Sequence, residues 1–167
     1  MAMFKTILTA VDFSDMSRDV LHYAARLAAA SPGARLLVVN VVPDPLHEPW
    51  VVETAGVDWA QLQKDWVADA ESRLDQLTTA EGLAPGTFTA VVLVGRPADA
   101  IVGLASDHAV DVVVIGTHGY GLVKHFVLGS VAERVLRRAE CPVVTVPKKS
   151  LARLAQHDAE ASVCAIS

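Results

Sequence analysis

Two glycine clusters in the second half of the chain have the residue types and spacing of an anion cradle. Gly116-Thr117-His118-Gly119-Tyr120-Gly121 follows an apolar run, and Gly129-Ser130 opens a helical pattern ten residues past Gly119. Glycine lets backbone N–H groups approach an anion with no Cβ in the way. A helix start adds free N–H groups and a partial positive charge, which suits a phosphate. Ser130-Val131-Ala132-Glu133 also has the S-x-x-E spacing of a capping box, which predicts Ser130 as the N-cap. The competing reading is that Ser130 only caps its helix and the glycines only turn the chain. Asp12-Phe13-Ser14-Asp15, after the first apolar run, adds carboxylates and a hydroxyl.

Two phosphate loops of known mechanism are excluded by the residues present. Gly116 and Gly121 have Walker A spacing, but Leu122-Val123 follow where Lys-Ser/Thr is needed to reach the phosphates and the metal. Gly119-Tyr120-Gly121 begins a dinucleotide fingerprint, but Lys124 stands where its third glycine belongs. That fingerprint also follows a first strand, not a fourth. His118 lies inside the loop, yet no Ser-His-Asp or Cys-His set is suggested, so packing or capping is the better reading. His22, His47, His108, His125 and His157 show no metal-ligand spacing. Lys124 and His125 fit either phosphate contacts or solvated loop positions. Asp99 is placed to support the start of a helix that Pro97 opens. Cys141, just before Pro142, reads as a small core residue, and Cys164 falls in the tail.

These groups need a scaffold, and five β-branched runs supply one: Lys5–Val11, Leu36–Val42, Thr89–Val94, Val112–Ile115 and Val143–Val146. None alternates cleanly between polar and apolar residues, which predicts strands covered on both faces, as in a parallel sheet. Helical patterns separate them at Arg18–Ala30, Trp59–Thr78, from Pro97 through Ala105, and Ser130–Ala139. Pro32-Gly33 stops the first, and Pro142 lies beyond the last. Strict β-α alternation implies a doubly wound α/β fold with right-handed crossovers and helices on both faces. Ligands in such sheets bind beyond the carboxyl ends of the strands, where the glycine clusters and Asp12 fall. Pro43–Pro49 is the longest expected loop, and 148–167 reads as a polar tail after a domain spanning 1–147.

Composition narrows the possibilities. A chain of 167 residues and 17.7 kDa is one domain in size. It is 52% hydrophobic but only 5% aromatic, so the core must be aliphatic. Two cysteines make no disulfide framework. No apolar run approaches the ~20 residues of a membrane span. The first residues carry no secretory pattern, so a cytoplasmic location without membrane attachment is the expectation. The net charge of −5 argues against a long nucleic acid as partner. That total is uneven: seven cations (Lys124, Arg134, Arg137, Arg138, Lys148, Lys149, Arg153) face only Glu133 and Glu140 across 112–153. An anion would prefer that segment, although these cations could equally decorate a solvated helix face.

Together the motifs resemble the universal stress protein family. Gly116-x2-Gly119-x9-Gly129-Ser130 matches the G-x2-G-x9-G-S/T signature of its ATP-binding branch, and Ile7–Ser14 is similar to its first strand and acidic loop. The resemblance covers about residues 3–147. It implies an open five-stranded parallel sheet of order 3-2-1-4-5, Rossmann-like and close to the adenine nucleotide alpha hydrolase type. By position it implies that Asp12 holds the ribose hydroxyls, the backbone of Val41 reads the adenine edge, and Ala10 and Val11 line the base. Gly116, Thr117, Gly119, Gly129, Ser130 and Val131 would surround ribose and phosphates. Ala10 departs mildly from members with proline there. The resemblance further implies ATP with Mg²⁺ as ligands, a stress-response regulator acting through its bound state, and a homodimer formed by the edge strand Pro142–Pro147. The alternatives are a slow ATPase or self-phosphorylating enzyme, a binder of another adenine nucleotide such as a cyclic one, and a fold-only dimer module.

Overall fold

The structure, a computed structural model, describes residues 3–44, 56–117 and 128–147. Strands β1 (Thr6–Ala10), β2 (Arg35–Val42), β3 (Phe88–Val94), β4 (Val112–Gly116) and β5 (Val143–Val146) alternate with helices α1 (Met16–Ala29), α2 (Trp59–Ala80), α3 (Pro97–Asp107) and α4 (Ser130–Arg138). All pairings are parallel, and the order is β3-β2-β1-β4-β5. Ala10 stands beside Val39 on one side and Ile115 on the other, so β1 and β4 end almost level. β2 and β3 continue past them to Val42 and Val94.

Side chains of a strand alternate between faces, and here both faces are apolar. Leu8, Leu37, Val39 and Val113 pack with Ala98, Ile101 and Leu104 of α3 and Ala132 and Val135 of α4. Ile7, Leu36, Val38, Val112 and Val114 pack with Val20, Leu21 and Ala24 of α1 and Leu74 of α2. Small helix residues let the layers approach closely, which is how so few aromatics suffice. Thr9 is fully buried on the second face, and its Oγ1 has no hydrogen-bond partner among the described residues.

The continuous apolar run predicts a covered β3, but Thr89, Ala90 and Val94 are exposed. β3 is an outer strand, with a neighbour on one side only among the described residues and the margins of the helical layers above it. The apolar stripe of α2 also differs along its length. Ala70 and Leu74 are buried, whereas Leu62, Trp66 and Leu77 are half-buried.

Local chemistry sets the element ends. α1 stops at a turn in which Ala34 N–H bonds Ser31 C=O at 2.9 Å and Gly33 takes φ +82°, a value open to glycine at little cost. Asp58 caps α2 by accepting from Gln61 N–H at 2.9 Å. At the other end of α2, the Glu81 carboxylate accepts from Arg18 Nε at 2.5 Å and meets His22 Nδ1 at 3.2 Å, tying α2 to α1. No helix among the described residues is long and apolar enough to cross a membrane.

Asp111 fixes the amino ends of the central strands. Its carboxylate accepts from the N–H groups of Thr6 at 2.8 Å and Lys5 at 2.6 Å, and those bonds hold its pKa below the ordinary range. A depressed carboxyl stabilises the fold above its unfolded pKa of about 3.9, and that contribution is lost as pH falls through the lower folded value. Asp111→Ala should therefore lower the urea midpoint at neutral pH, with the gap from wild type closing in strong acid. A gap unchanged by acid would contradict this assignment.

Candidate functional site

The helices part above the carboxyl ends of β1, β2 and β4, leaving a cavity of about 260 Å³. Ala10, Val11, Val39, Asn40, Val41, Ile115 and Gly116 form its floor. α1 contributes Met16, Ser17 and Val20, and α3 contributes Pro97 and Ile101. Gly129, Ser130, Val131 and Ala132 close the remaining side, with Asp12 and Ser14 from the β1–α1 loop. Its walls are mainly apolar, with a few polar groups converging on it, as in small-molecule sites.

Asp12 is held in a defined orientation. Its Oδ1 accepts from Ser14 N–H and from Ser17 Oγ–H, both at 3.0 Å, while its own N–H donates to Ser17 Oγ at 3.2 Å. Among the described residues no partner reaches its Oδ2. The carboxylate is thus anchored through one oxygen and can accept hydroxyl protons with the other. Ser14 Oγ is buried and has no partner among the described residues, a second polar atom available to a ligand.

The floor carries another polar feature. Buried Asn40 donates from Nδ2 to Val11 C=O at 2.8 Å, satisfying a carbonyl just past the end of β1. Val39 C=O accepts from Val11 N–H, whereas Val42 C=O accepts from Gly95 N–H on the β3 side. Backbone groups alternate along a strand, so those of Val41 point as Val39's do, toward β1. β1 has ended there, and the N–H and C=O of Val41 face the crevice.

At the far wall, Gly129 N–H bonds Thr117 C=O at 2.6 Å and Thr117 N–H bonds Val146 C=O at 3.1 Å. These bonds bring the end of β4 onto the start of α4. The capping box expected at Ser130 does not form. Gly129 is the N-cap, with φ −66° and ψ 152°, and Ser130 is already helical. Glu133 N–H bonds Gly129 C=O at 2.9 Å instead of the Ser130 hydroxyl, and the Glu133 carboxylate pairs with Arg137. The closing bond to Thr117 determines which residue leaves the helix. With glycine as cap, no capping side chain occupies the first-turn N–H groups, which among the described residues leaves them open to an anion.

Of the residues singled out from sequence, Ala10, Val11, Asp12, Val41, Gly116, Gly129, Ser130 and Val131 line the cavity. Thr117 stands beside it, engaged in the closing bond. Gly119, His118, Lys124, His125 and the tail at 148–167 with Cys164 lie outside the described residues, as does most of Pro43–Pro49. Sequence reasoning assigned no role to Ser17 or Asn40, and of Ser14 it noted only a hydroxyl near Asp12. Asn40 did carry a signal, being a lone amide inside the apolar run LLVVNVV.

Asp99 does sit in the first turn of α3, and it also bonds Arg138 of α4, whose guanidinium holds the carboxyl below its usual range with help from Arg96 and Arg134. Cys141 is half-buried against the α3–α4 core, and burial pushes its thiol up, away from reactivity. Among the described residues no group of three or more His, Cys, Asp or Glu could hold a metal ion.

Comparison with known proteins bears on this architecture. The profile of the universal stress protein family matches residues 3–147. A universal stress protein of Thermus aquaticus is 37% identical over 147 residues, covering 86% of this chain and 99% of its own length. The solved structure of the universal stress protein UspA from Lactobacillus plantarum superposes with a TM-score of 0.73 at 23% identity, covering 87% of this chain and 99% of that one. A universal stress protein solved in complex with cAMP gives a TM-score of 0.56 at 26% identity, over 87% of this chain and 98% of that one. An open parallel sheet with a crevice at its switch point defines a Rossmann-like α/β protein. Within that class, this chain belongs to the universal stress protein family.

The Asn40 bond gives a direct test of how the floor is held. Asn40→Leu keeps the branched shape but leaves Val11 C=O without its donor, so it should cost about 1–3 kcal/mol in chemical denaturation. A loss below a few tenths would mean that another group satisfies that carbonyl.

Proposed function

We propose that this protein binds ATP, with Mg²⁺, in the crevice and acts in the stress response through the bound state. The observation that carries the reading is a juxtaposition. The Asp12 carboxylate, the backbone of Val41, which has no bond partner among the described residues, and the N-terminus of α4 face one cavity. In this reading Asp12 takes the ribose hydroxyls, and Val41 reads the adenine edge over Ala10 and Val11. The loop of Gly116, Thr117 and Gly119, with Gly129, Ser130 and Val131, cradles the phosphates. The membership of the family and the cAMP complex of a relative support an adenine nucleotide. The described residues offer no cage for Mg²⁺, so the ion would arrive on the phosphates and neutralise their charge.

A binding role is favoured over efficient hydrolysis because Asp12 is the single ionisable residue among the described cavity residues, and it is committed to the sugar. A cyclic nucleotide is the second reading, favoured by the relative solved with cAMP. Calorimetric titration with Mg-ATP and with cAMP separates the two. Gly129→Val combined with Ser130→Val adds side chains where the phosphates would lie. It should weaken ATP at least tenfold while the fold persists by circular dichroism. Unchanged affinity would refute the assigned site, and no adenine-nucleotide binding by the wild type would remove the function.

β5 is an outer strand of the sheet among the described residues, short and apolar along Pro142–Pro147. We infer a two-fold dimer formed on this edge, because an open apolar edge gains from pairing with a copy of itself. Sedimentation at micromolar concentration should show a species of twice 17.7 kDa. A monomer alone would count decisively against it.

A further inference from the structure

We propose that Phe13 and Arg73 form a clamp that positions the Asp12 carboxylate and so sets how strongly the site prefers a ribose over a deoxygenated sugar. The inference rests on the nucleotide reading above. Neither residue lines the cavity; both act through Asp12.

Phe13 directly follows Asp12 and has φ +61°, in the left-handed region that a bulky aromatic residue rarely adopts. Such a conformation persists only where the surroundings enforce it. Here it turns the chain so that Ser14 N–H points back to Asp12 Oδ1 at 3.0 Å. Relaxation of Phe13 to negative φ would swing that N–H away and leave Oδ1 with Ser17 alone.

The enforcing group comes from another element. Arg73 of α2 lies with its Cζ 4.3 Å from the centroid of the Phe13 ring, within the range of a cation–π contact. Its guanidinium also stands 3.6 Å from Asp69, one turn earlier on α2. The ring packs against the α1–α2 core, so it is gripped between that core and the guanidinium. α2 is itself tied to α1 through Glu81, Arg18 and His22. The orientation of the proposed ribose ligand is thereby set by a helix that touches no part of the cavity.

The test uses the full chain, titrated calorimetrically with Mg-ATP and with the 2′,3′-dideoxy analogue, which offers Asp12 no hydroxyl. The wild type should favour ATP, and Asp12→Ala should abolish that preference. Arg73→Met keeps the apolar stem and loses the guanidinium that covers the ring. It should cut the preference about two- to fivefold with dideoxy binding unchanged. Arg73→Lys, which restores a cation, should recover most of the preference. If Arg73→Met fails to fold by circular dichroism, Phe13→Leu keeps the apolar anchor without the aromatic face and should shift the preference the same way. A wild-type preference in Arg73→Met, or equal loss for both nucleotides, would overturn the clamp while the nucleotide reading stands. No binding of either nucleotide by the wild type would overturn both.

Discussion

A parallel strand buried on both faces must have a helical layer above and below it, and β1 is the strand on which this demand falls hardest. Ile7, Leu8 and Thr9 have no exposure at all. The strand order runs outward from β1 in both directions, to β2 and β3 on one side and to β4 and β5 on the other. Right-handed crossovers then send α1 and α2 to one face and α3 and α4 to the other. The layers separate where the direction of winding reverses, above the carboxyl ends of β1 and β4. The cavity is a consequence of covering β1, and the polar groups of the site are arranged around it.

Ending strands beneath an apolar roof strands backbone groups, and the residues at these ends respond to that. Asn40 satisfies Val11 C=O, Ser17 and Asp12 satisfy each other, and Gly129 closes onto Thr117. After this pairing, Asp12 Oδ2, Ser14 Oγ, the backbone of Val41 and the first turn of α4 are left facing one space. Hydrogen bonds made there by a ligand would form in a partly apolar, low-dielectric setting, where they gain strength.

The basic segment 112–153 takes on a different meaning in three dimensions. Arg137 and Arg138 lie in the last turn of α4, where cations complement the helix dipole. Arg137 pairs with Glu133, and Arg138 reaches Asp99 of α3. These two cations serve α4 and its packing on α3. The first turn of α4 carries the partial positive charge of its backbone dipoles, which no count of charged residues registers.

Hydrophobic runs and breakers are enough to locate each strand and helix of the described residues, with ends displaced by only a residue or two. Both features are local, and the burial they demand is what the fold delivers. That Asp12, Gly116 and Gly129 meet at one crevice follows from the same local signals, because they fall at strand ends and at a helix start. Strand order was different: periodicity says which face a residue turns inward and nothing about which strand stands beside it, so the order came from the family resemblance. The S-x-x-E spacing points to Ser130 as the cap, whereas the cap is Gly129, whose N–H bonds Thr117, a residue distant in sequence. Ser17 gave no sign of its bond to Asp12. The left-handed Phe13 gave none either, since an aromatic residue holds that conformation through contacts with α2. Neighbours in sequence specify elements and their faces; a strained backbone and a shared carboxylate depend on groups that only folding brings within reach.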